Sequence, residues 1–162
     1  MVLLLKILVF TMVAPGTVTV LLPMMLFRGD LDPEAVGGFR GAAGLVLILG
    51  GALLYARCAW AFARYGRGTP APIDPPRVLV TGGLYARTRN PMYLGVLTVL
   101  LGEATAFGSS RLLAYAAVVF LGFHLFTVLY EEPAHARRFG SAFEEYCRRV
   151  PRWLPRLRPG RA

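Results

Sequence analysis

Four apolar windows alternate along this chain with arginine-rich or turn-forming segments. Ile7 to Phe27 carries no charge between Lys6 and Arg28. Gly41 to Ala56 is also uncharged, and it extends through Phe62 if the Arg57 side chain snorkels toward headgroups. Met92 to Ser110 holds one ionisable residue, Glu103, and Leu112 to Tyr130 holds only His124. A bilayer core takes about 20 mostly apolar helical residues at about 1.5 Å each. The windows therefore predict four membrane spans, at about 7–27, 41–62, 92–110 and 112–130. Lys6 ahead of the first window imitates a signal peptide. Its apolar stretch is too long, and no small-residue cleavage site closes it, so it reads as a span.

The connections differ in kind. Little more than Gly108-Ser109-Ser110 joins the third and fourth windows, which makes them antiparallel neighbours. The stretch from Arg64 to Asn90 is long, and Pro70, Pro72, Pro75 and Pro76 predict an extended first half. Long structured loops in small domains tend to be functional. After the fourth window, Pro133 suits the first turn of a new helix. Phe139, Phe143, Tyr146 and Val150 then make an apolar stripe on a basic helix over about 133–150. That helix is expected along the cytoplasmic membrane surface, a solvated tail being the alternative. The expected fold class is all-α integral membrane: four transmembrane helices and a cytoplasmic amphipathic C-terminal helix, in one domain over 1–162.

Composition narrows the functional classes. The 162 residues are 56% hydrophobic and 17% charged, with mean hydropathy +0.53, which excludes a disordered chain, a disulfide-stapled secreted domain and a water-soluble enzyme. The net charge of +9 comes from seventeen arginines and one lysine lying between apolar runs and at the C-terminus. Such placement fits anionic lipid headgroups rather than nucleic acid. With four spans, Lys6, six arginines from Arg57 to Arg89 and the eight after the fourth span share one side. Arg28, Arg40 and Arg111 lie on the other, beside an acidic loop of Asp30, Asp32 and Glu34. The excess predicts an inner or plasma membrane protein with both termini cytoplasmic. Cys58 and Cys147 lack metal-ligand spacing, so free thiols and no metal are expected.

Three cytoplasmic-side features carry candidate chemistry. The loop over 77–93 includes Thr81-Gly82-Gly83-Leu84-Tyr85 and Arg89-Asn90-Pro91-Met92-Tyr93. Adjacent glycines allow close backbone approach, the tyrosines offer flat faces with hydroxyls, and Arg89 can clamp a carboxylate. The plainer alternative is a turn with a helix cap, Asn90 at the N-cap and Pro91 first in the helix. Glu131-Glu132, at the expected end of the fourth span, would oppose the helix dipole unless a cationic ligand or an arginine offset it. Equally, the pair could cap the following helix. The third feature is the C-terminal run Phe139-Gly140 to Val150-Pro151-Arg152-Trp153, on its own a surface helix with an interfacial tryptophan.

In this order, the features resemble the integral-membrane methyltransferases that include isoprenylcysteine carboxyl methyltransferase and phospholipid N-methyltransferases. The matching pieces are Gly-x-Tyr-x-x-x-Arg-x-Pro-x-Tyr over Gly83 to Tyr93, the Glu-Glu pair, and Phe-Gly-x-x-Phe-x-x-Tyr before Val-Pro, within about Arg57 to Pro155. The resemblance implies S-adenosylmethionine as cofactor and a lipophilic acceptor drawn from the bilayer, with no obligate protein partner evident. It implies cofactor contacts from Thr81, Gly82, Gly83, Leu84, Tyr85, Arg89, Asn90, Pro91, Tyr93, Glu131 and Glu132. It also implies a catalytic arginine at the end of the preceding span, best matched by Arg57 with Arg64 as fallback; snorkelling explains Arg57 as well.

Asn90 stands where prenylcysteine methyltransferases usually carry histidine, and Pro133 follows the Glu pair directly. Prenylcysteine carboxylate, the first choice, therefore stays open beside a phospholipid or small lipophilic amine. Neither His124 nor His135 is an obvious base, which favours the carboxylate. His124 reads as an interhelical hydrogen-bonding group, and Glu103 as a polar brace or part of the substrate path. A small four-span transporter using Glu103 is the rival of another class.

Overall fold

A computed structural model describes residues 2–31, 33–66 and 78–156. Arg67, Pro70, Pro72, Pro75, Pro76 and Arg77 of the long connection lie outside the described residues, as do Asp32, Arg158 and Arg161. The described residues are all helical or irregular. They form α1 (Val2–Gly16), α2 (Leu22–Leu26), α3 (Gly38–Ala61), α4 (Pro91–Phe107), α5 (Ser110–Phe126), α6 (Glu132–Phe139) and α7 (Ser141–Arg149). Three continuous helical stretches are long and apolar enough to cross a membrane: Leu5–Leu26, Gly38–Tyr65 and Ser110–Phe139. Pro91–Phe107 is apolar but shorter.

All three stretches contain π-helical turns, the one after α3 over Phe62–Gly66, and in the other two the turn has a common cause. Thr17–Leu21 joins α1 to α2 just before Pro23, and Thr127–Glu131 joins α5 to α6 just before Pro133. Proline has no N–H to give the preceding turn and its ring crowds that turn, so the helix widens there instead of stopping. Pro133 thus sits near the start of α6 within a continuing helix, rather than opening a separate one.

The break comes later, at Gly140, with φ 54° and ψ −132°. That conformation is strained for any residue with a Cβ. The single helix expected over about 133–150 is therefore two, α6 and α7, because the apolar stripe continues across a glycine that the helix cannot. Phe143, Tyr146 and Val150 remain on one buried face, packed with Leu79, Phe139 and Cys147. That face covers the loop ahead of α4.

α3 and α4 are antiparallel and nearly touch at their backbones. A Cβ on Gly51 would lie 2.6 Å from the Gly95 carbonyl oxygen, and one on Gly95 would lie 2.9 Å from the Tyr55 nitrogen. Gly44 and Gly102 repeat the contact one heptad away. Small residues that admit close backbone approach are how helices adhere in lipid, where burial of apolar surface offers little driving force. Replacing Gly51 by valine is expected to cost about 1–3 kcal/mol by forcing the helices apart. Thermal unfolding in detergent measures this, and an unchanged midpoint would show that the close approach is dispensable.

The short α4–α5 hairpin forms as expected. Gly108 takes the left-handed C-cap at φ 62°, and the Ser109 side chain caps α5 by accepting from the Leu112 N–H at 3.2 Å. Ser109 and Arg111 both donate to the Asp30 carboxylate, which ties the first connection to this turn. The first helical stretch leans on α3 through Thr11 and Tyr55, whose hydroxyls are 2.9 Å apart. Farther along, it leans on α5, where the Tyr115 hydroxyl donates to the Val18 carbonyl at 2.8 Å. A space is left under it, against α4 and α5.

Candidate functional site

That space is a cavity of about 400 Å³. One wall is apolar and comes from Phe10, Val13, Ala14, Pro15 and Val18. The opposite end, where α4 begins and α5 runs into α6, is polar and holds Arg89, Asn90, Glu131, Glu132 and His135. Tyr93 and Phe123 lie between, ring centroids 4.4 Å apart and nearly parallel. The volume lies within the roughly 300–1,000 Å³ usual for small-molecule sites, and few polar groups on an apolar lining is their usual chemistry.

The two glutamates divide their work. Glu132 Oε1 accepts from Arg89 Nη1 and from Arg152 Nε, each at 2.8 Å, and Oε2 accepts from Arg152 Nη2 at 2.8 Å. Its charge is committed within the protein, and the arginine compensation asked of the pair is met by two guanidiniums. The anticipated conflict with a helix end does not arise, because the helix continues into α6. Glu131 accepts from the Tyr93 hydroxyl at 2.8 Å and the Thr127 hydroxyl at 3.2 Å, both neutral donors. It is a cavity carboxylate with no guanidinium or ammonium bonded to it among the described residues.

Arg89 is held on several sides. Its N–H donates to the Pro151 carbonyl at 2.9 Å, and Nη1 also donates to Cys147 Sγ at 2.9 Å. Nε is buried and has no partner among the described residues. A guanidinium with an unpaired N–H, on a residue that lines a cavity, suits a ligand oxygen. Burial pushes the Cys147 thiol up, while the Arg89 guanidinium beside it pulls the other way.

A non-helical strap over 150–156, bent at 152–154, covers this end. Pro151 and Pro155 bar helix, so its backbone oxygens remain free to accept bonds. Thr88 Oγ1 donates to the Arg152 and Trp153 carbonyls, and Asn90 Nδ2 donates to the Arg152 carbonyl at 3.1 Å. Asn90 does occupy the N-cap position of α4, but its side chain makes no cap bond and holds the strap instead. Trp153 Nε1 donates to His124 Nδ1 at 3.0 Å, its ring edge-on to Phe120. The His124 expectation changes: its bond goes to the strap rather than to another span, and the tryptophan packs on α5. Beneath the strap, the Tyr146 hydroxyl donates to the Tyr85 carbonyl at 2.8 Å. Burial pushes both phenols above their ordinary range, so each stays a neutral hydroxyl.

The cavity brings together Tyr85, Arg89, Asn90, Tyr93, Glu131 and Glu132 from the sequence-derived set. It does not include Thr81, Gly82 and Gly83, which are exposed, or Leu84 and Pro91, which pack structurally. Arg57 is exposed on α3 and does not line the cavity, whereas Tyr55 and Phe62 on either side of it do. Arg64 is exposed as well, over the Tyr65 ring. Sequence reasoning missed Tyr55; it named Tyr146 and Arg152 only within the C-terminal run and set His135 aside as no obvious base, without placing any of them at the site. The Pro-Arg-Trp-Leu-Pro spacing was a usable signal for Arg152, since a segment barred from helix has to dock elsewhere.

A sequence profile described as phospholipid methyltransferase matches residues 39–142. The chain is 34% identical over 86 residues to the Delta(14)-sterol reductase of Mus musculus, covering 49% of this chain and 19% of the relative. It is 31% identical over 78 residues to the protein-S-isoprenylcysteine O-methyltransferase of Schizosaccharomyces pombe, covering 48% of this chain and 33% of the relative. The aligned stretch is thus a third or less of each relative's length. No solved structure matches.

Proposed function

We propose that this chain, which belongs to the phospholipid methyltransferase family and is an integral membrane protein, transfers the methyl group of S-adenosylmethionine to a lipophilic acceptor. The observation that carries the reading is the pairing in one cavity of Arg89, whose Nε is unpaired, and Glu131, which has no guanidinium or ammonium partner among the described residues. A donor with one carboxylate and two cationic centres asks for both. Arg89 would hold the carboxylate, and Glu131, oriented by Tyr93 and Thr127, would hold the ammonium. Tyr93 and Phe123 offer flat apolar surface for the adenine. The donor supplies an electrophilic methyl on a sulfonium. The protein's part is to orient it, keep water out with the strap, and align the acceptor, and such positioning accounts for much of the rate in reactions of this type.

The apolar wall of α1 suits an acceptor's hydrocarbon tail. We take α4 as a fourth span, since its 17 residues rise about 26 Å and it is bound along its length to α3. The arginine asymmetry then puts the polar end of the cavity, the strap and both termini on the cytoplasmic side. α7 would lie at that surface with its apolar face inward.

The test is a radiolabelled-methyl assay on purified protein, with a lipid extract and a farnesylated cysteine analogue offered side by side. Label is expected in organic-extractable product. No label in either acceptor, together with no calorimetric heat on adding S-adenosylmethionine, would overturn the proposal. The 34% identity to a sterol reductase supports a second, reductive reading. A reductase would leave the lipid unlabelled and consume a sterol instead.

A further inference from the structure

Two histidines lie near the site, and their partners hold them in opposite forms. His124 Nδ1 receives the Trp153 indole N–H, so a neutral His124 ring carries its proton on Nε2. His135 Nδ1 lies 2.8 Å from the Glu131 backbone carbonyl, which can only accept. In a neutral His135 ring Nδ1 therefore carries the proton and Nε2 the free lone pair. The ring is held flat against Phe143, 5.4 Å away at 24°, and Phe139, 5.9 Å away at 17°. His135 lines the same cavity as Arg89 and Glu131. No hydrogen bond to its Nε2 is present among the described residues.

We propose that His135 is the proton acceptor of the methyl transfer, and that the acceptor's nucleophile is one that bears a proton at neutral pH, a hydroxyl or an ammonium, rather than a carboxylate. The proposal rests on the methyltransferase reading above. As the nucleophile's lone pair forms the new bond to the methyl carbon, the carbon–sulfur bond breaks and its electron pair stays on sulfur, leaving a neutral thioether. A hydroxyl passes its proton to His135 Nε2 as it attacks, whereas an ammonium first gives one proton to Nε2 and so exposes the lone pair that attacks; in either case the imidazolium later releases the proton to water. A carboxylate would need no such group. The Nδ1–H bond to Glu131 fixes the tautomer, and the two phenyl rings fix the plane, as a general base requires.

The test compares wild type with His135→Ala and His135→Asn in lipid nanodiscs. Asparagine keeps an N–H for the Glu131 carbonyl but offers no basic nitrogen. Both variants are expected to bind S-adenosylhomocysteine within about twofold of wild type by calorimetry. Both should lose about 100-fold in kcat on a hydroxyl or amine lipid, with KM little changed. Added imidazole should restore part of the His135→Ala rate, and nitrogen-15 spectra of histidine-labelled protein should show His135 protonated at Nδ1. Wild-type rates in either variant, methyl transfer by wild type to the carboxylate analogue alone, or a proton on Nε2 would overturn this inference while leaving methyl transfer standing. Loss of rate with equal loss of binding and no imidazole rescue would overturn it in favour of a structural role. Absence of all transfer and binding in wild type would instead remove the reading beneath it.

Discussion

Glu132→Ala is expected to destabilise the protein by about 3 kcal/mol and to release the strap over 150–156 to protease. The carboxylate gathers three charge-assisted bonds, and its partners are well covered, with Arg89 14% and Arg152 31% exposed. Removing it leaves two guanidiniums facing each other in a part-buried site, and uncompensated charge of this kind costs roughly 3–5 kcal/mol when fully buried. The residual exposure places the expectation at the low end. Arg152→Ala alone should cost less, because Arg89 still neutralises the glutamate. The double variant should be milder than the sum of the singles, since the group that Glu132→Ala strands is then partly absent. Thermal unfolding in detergent and limited proteolysis measure both effects. Strict additivity would show that the strap is held elsewhere, by Trp153 and Asn90.

Glu131→Gln should do the opposite, leaving stability near wild type and weakening S-adenosylmethionine binding about tenfold to a hundredfold. The Tyr93 and Thr127 hydroxyls donate to different oxygens of Glu131; glutamine keeps an oxygen for one of them, and its amide N–H can donate to the other hydroxyl, so most of the local bonding survives. What disappears is a negative charge with no guanidinium or ammonium bonded to it among the described residues, and hydrogen bonds to charged groups are worth about 1.5–3 kcal/mol. Calorimetric titration with S-adenosylmethionine reads the effect directly. Equal affinity in the variant would remove Glu131 from cofactor binding. The contrast between the neighbours is itself informative: two adjacent carboxylates of the same type, one bound to the protein's own arginines and one to hydroxyls in the cavity.

Much of the helical layout was legible because it depends on local pattern. Uncharged apolar windows have one stable form in lipid, and Gly108-Ser109 is a recognisable turn between two of them. The placement of Arg89, Tyr93 and the Glu pair at one end followed from the short hairpin, which brings the start of α4 beside the end of α5. Other features were hidden for equally physical reasons. The Gly44, Gly51, Gly95 and Gly102 contacts are long-range, and each glycine read singly looks like any small residue in a span. Gly140 interrupts a stripe whose period runs on unbroken, so periodicity alone reports one helix. Pro133 carries a start signal, but a π-helical turn absorbs it.

The amino-acid order by itself determined that the chain is helical, that it is apolar enough to live in a bilayer, and which acidic and basic residues gather where α4 begins. Hydrophobic windows and chain connectivity carry that information without any need for packing. Only the tertiary structure decided which charge is spent and which is free. Arg152 lies far along the chain from Arg89, and it returns to Glu132 only because the prolines keep the strap out of a helix and Trp153 docks on His124. His135 became a candidate base only once its Nδ1 met a carbonyl on its own helix. Charge pairing and tautomer state depend on distances of a few ångströms between residues remote in sequence or turned by a particular helical geometry, and no pattern along the chain encodes them.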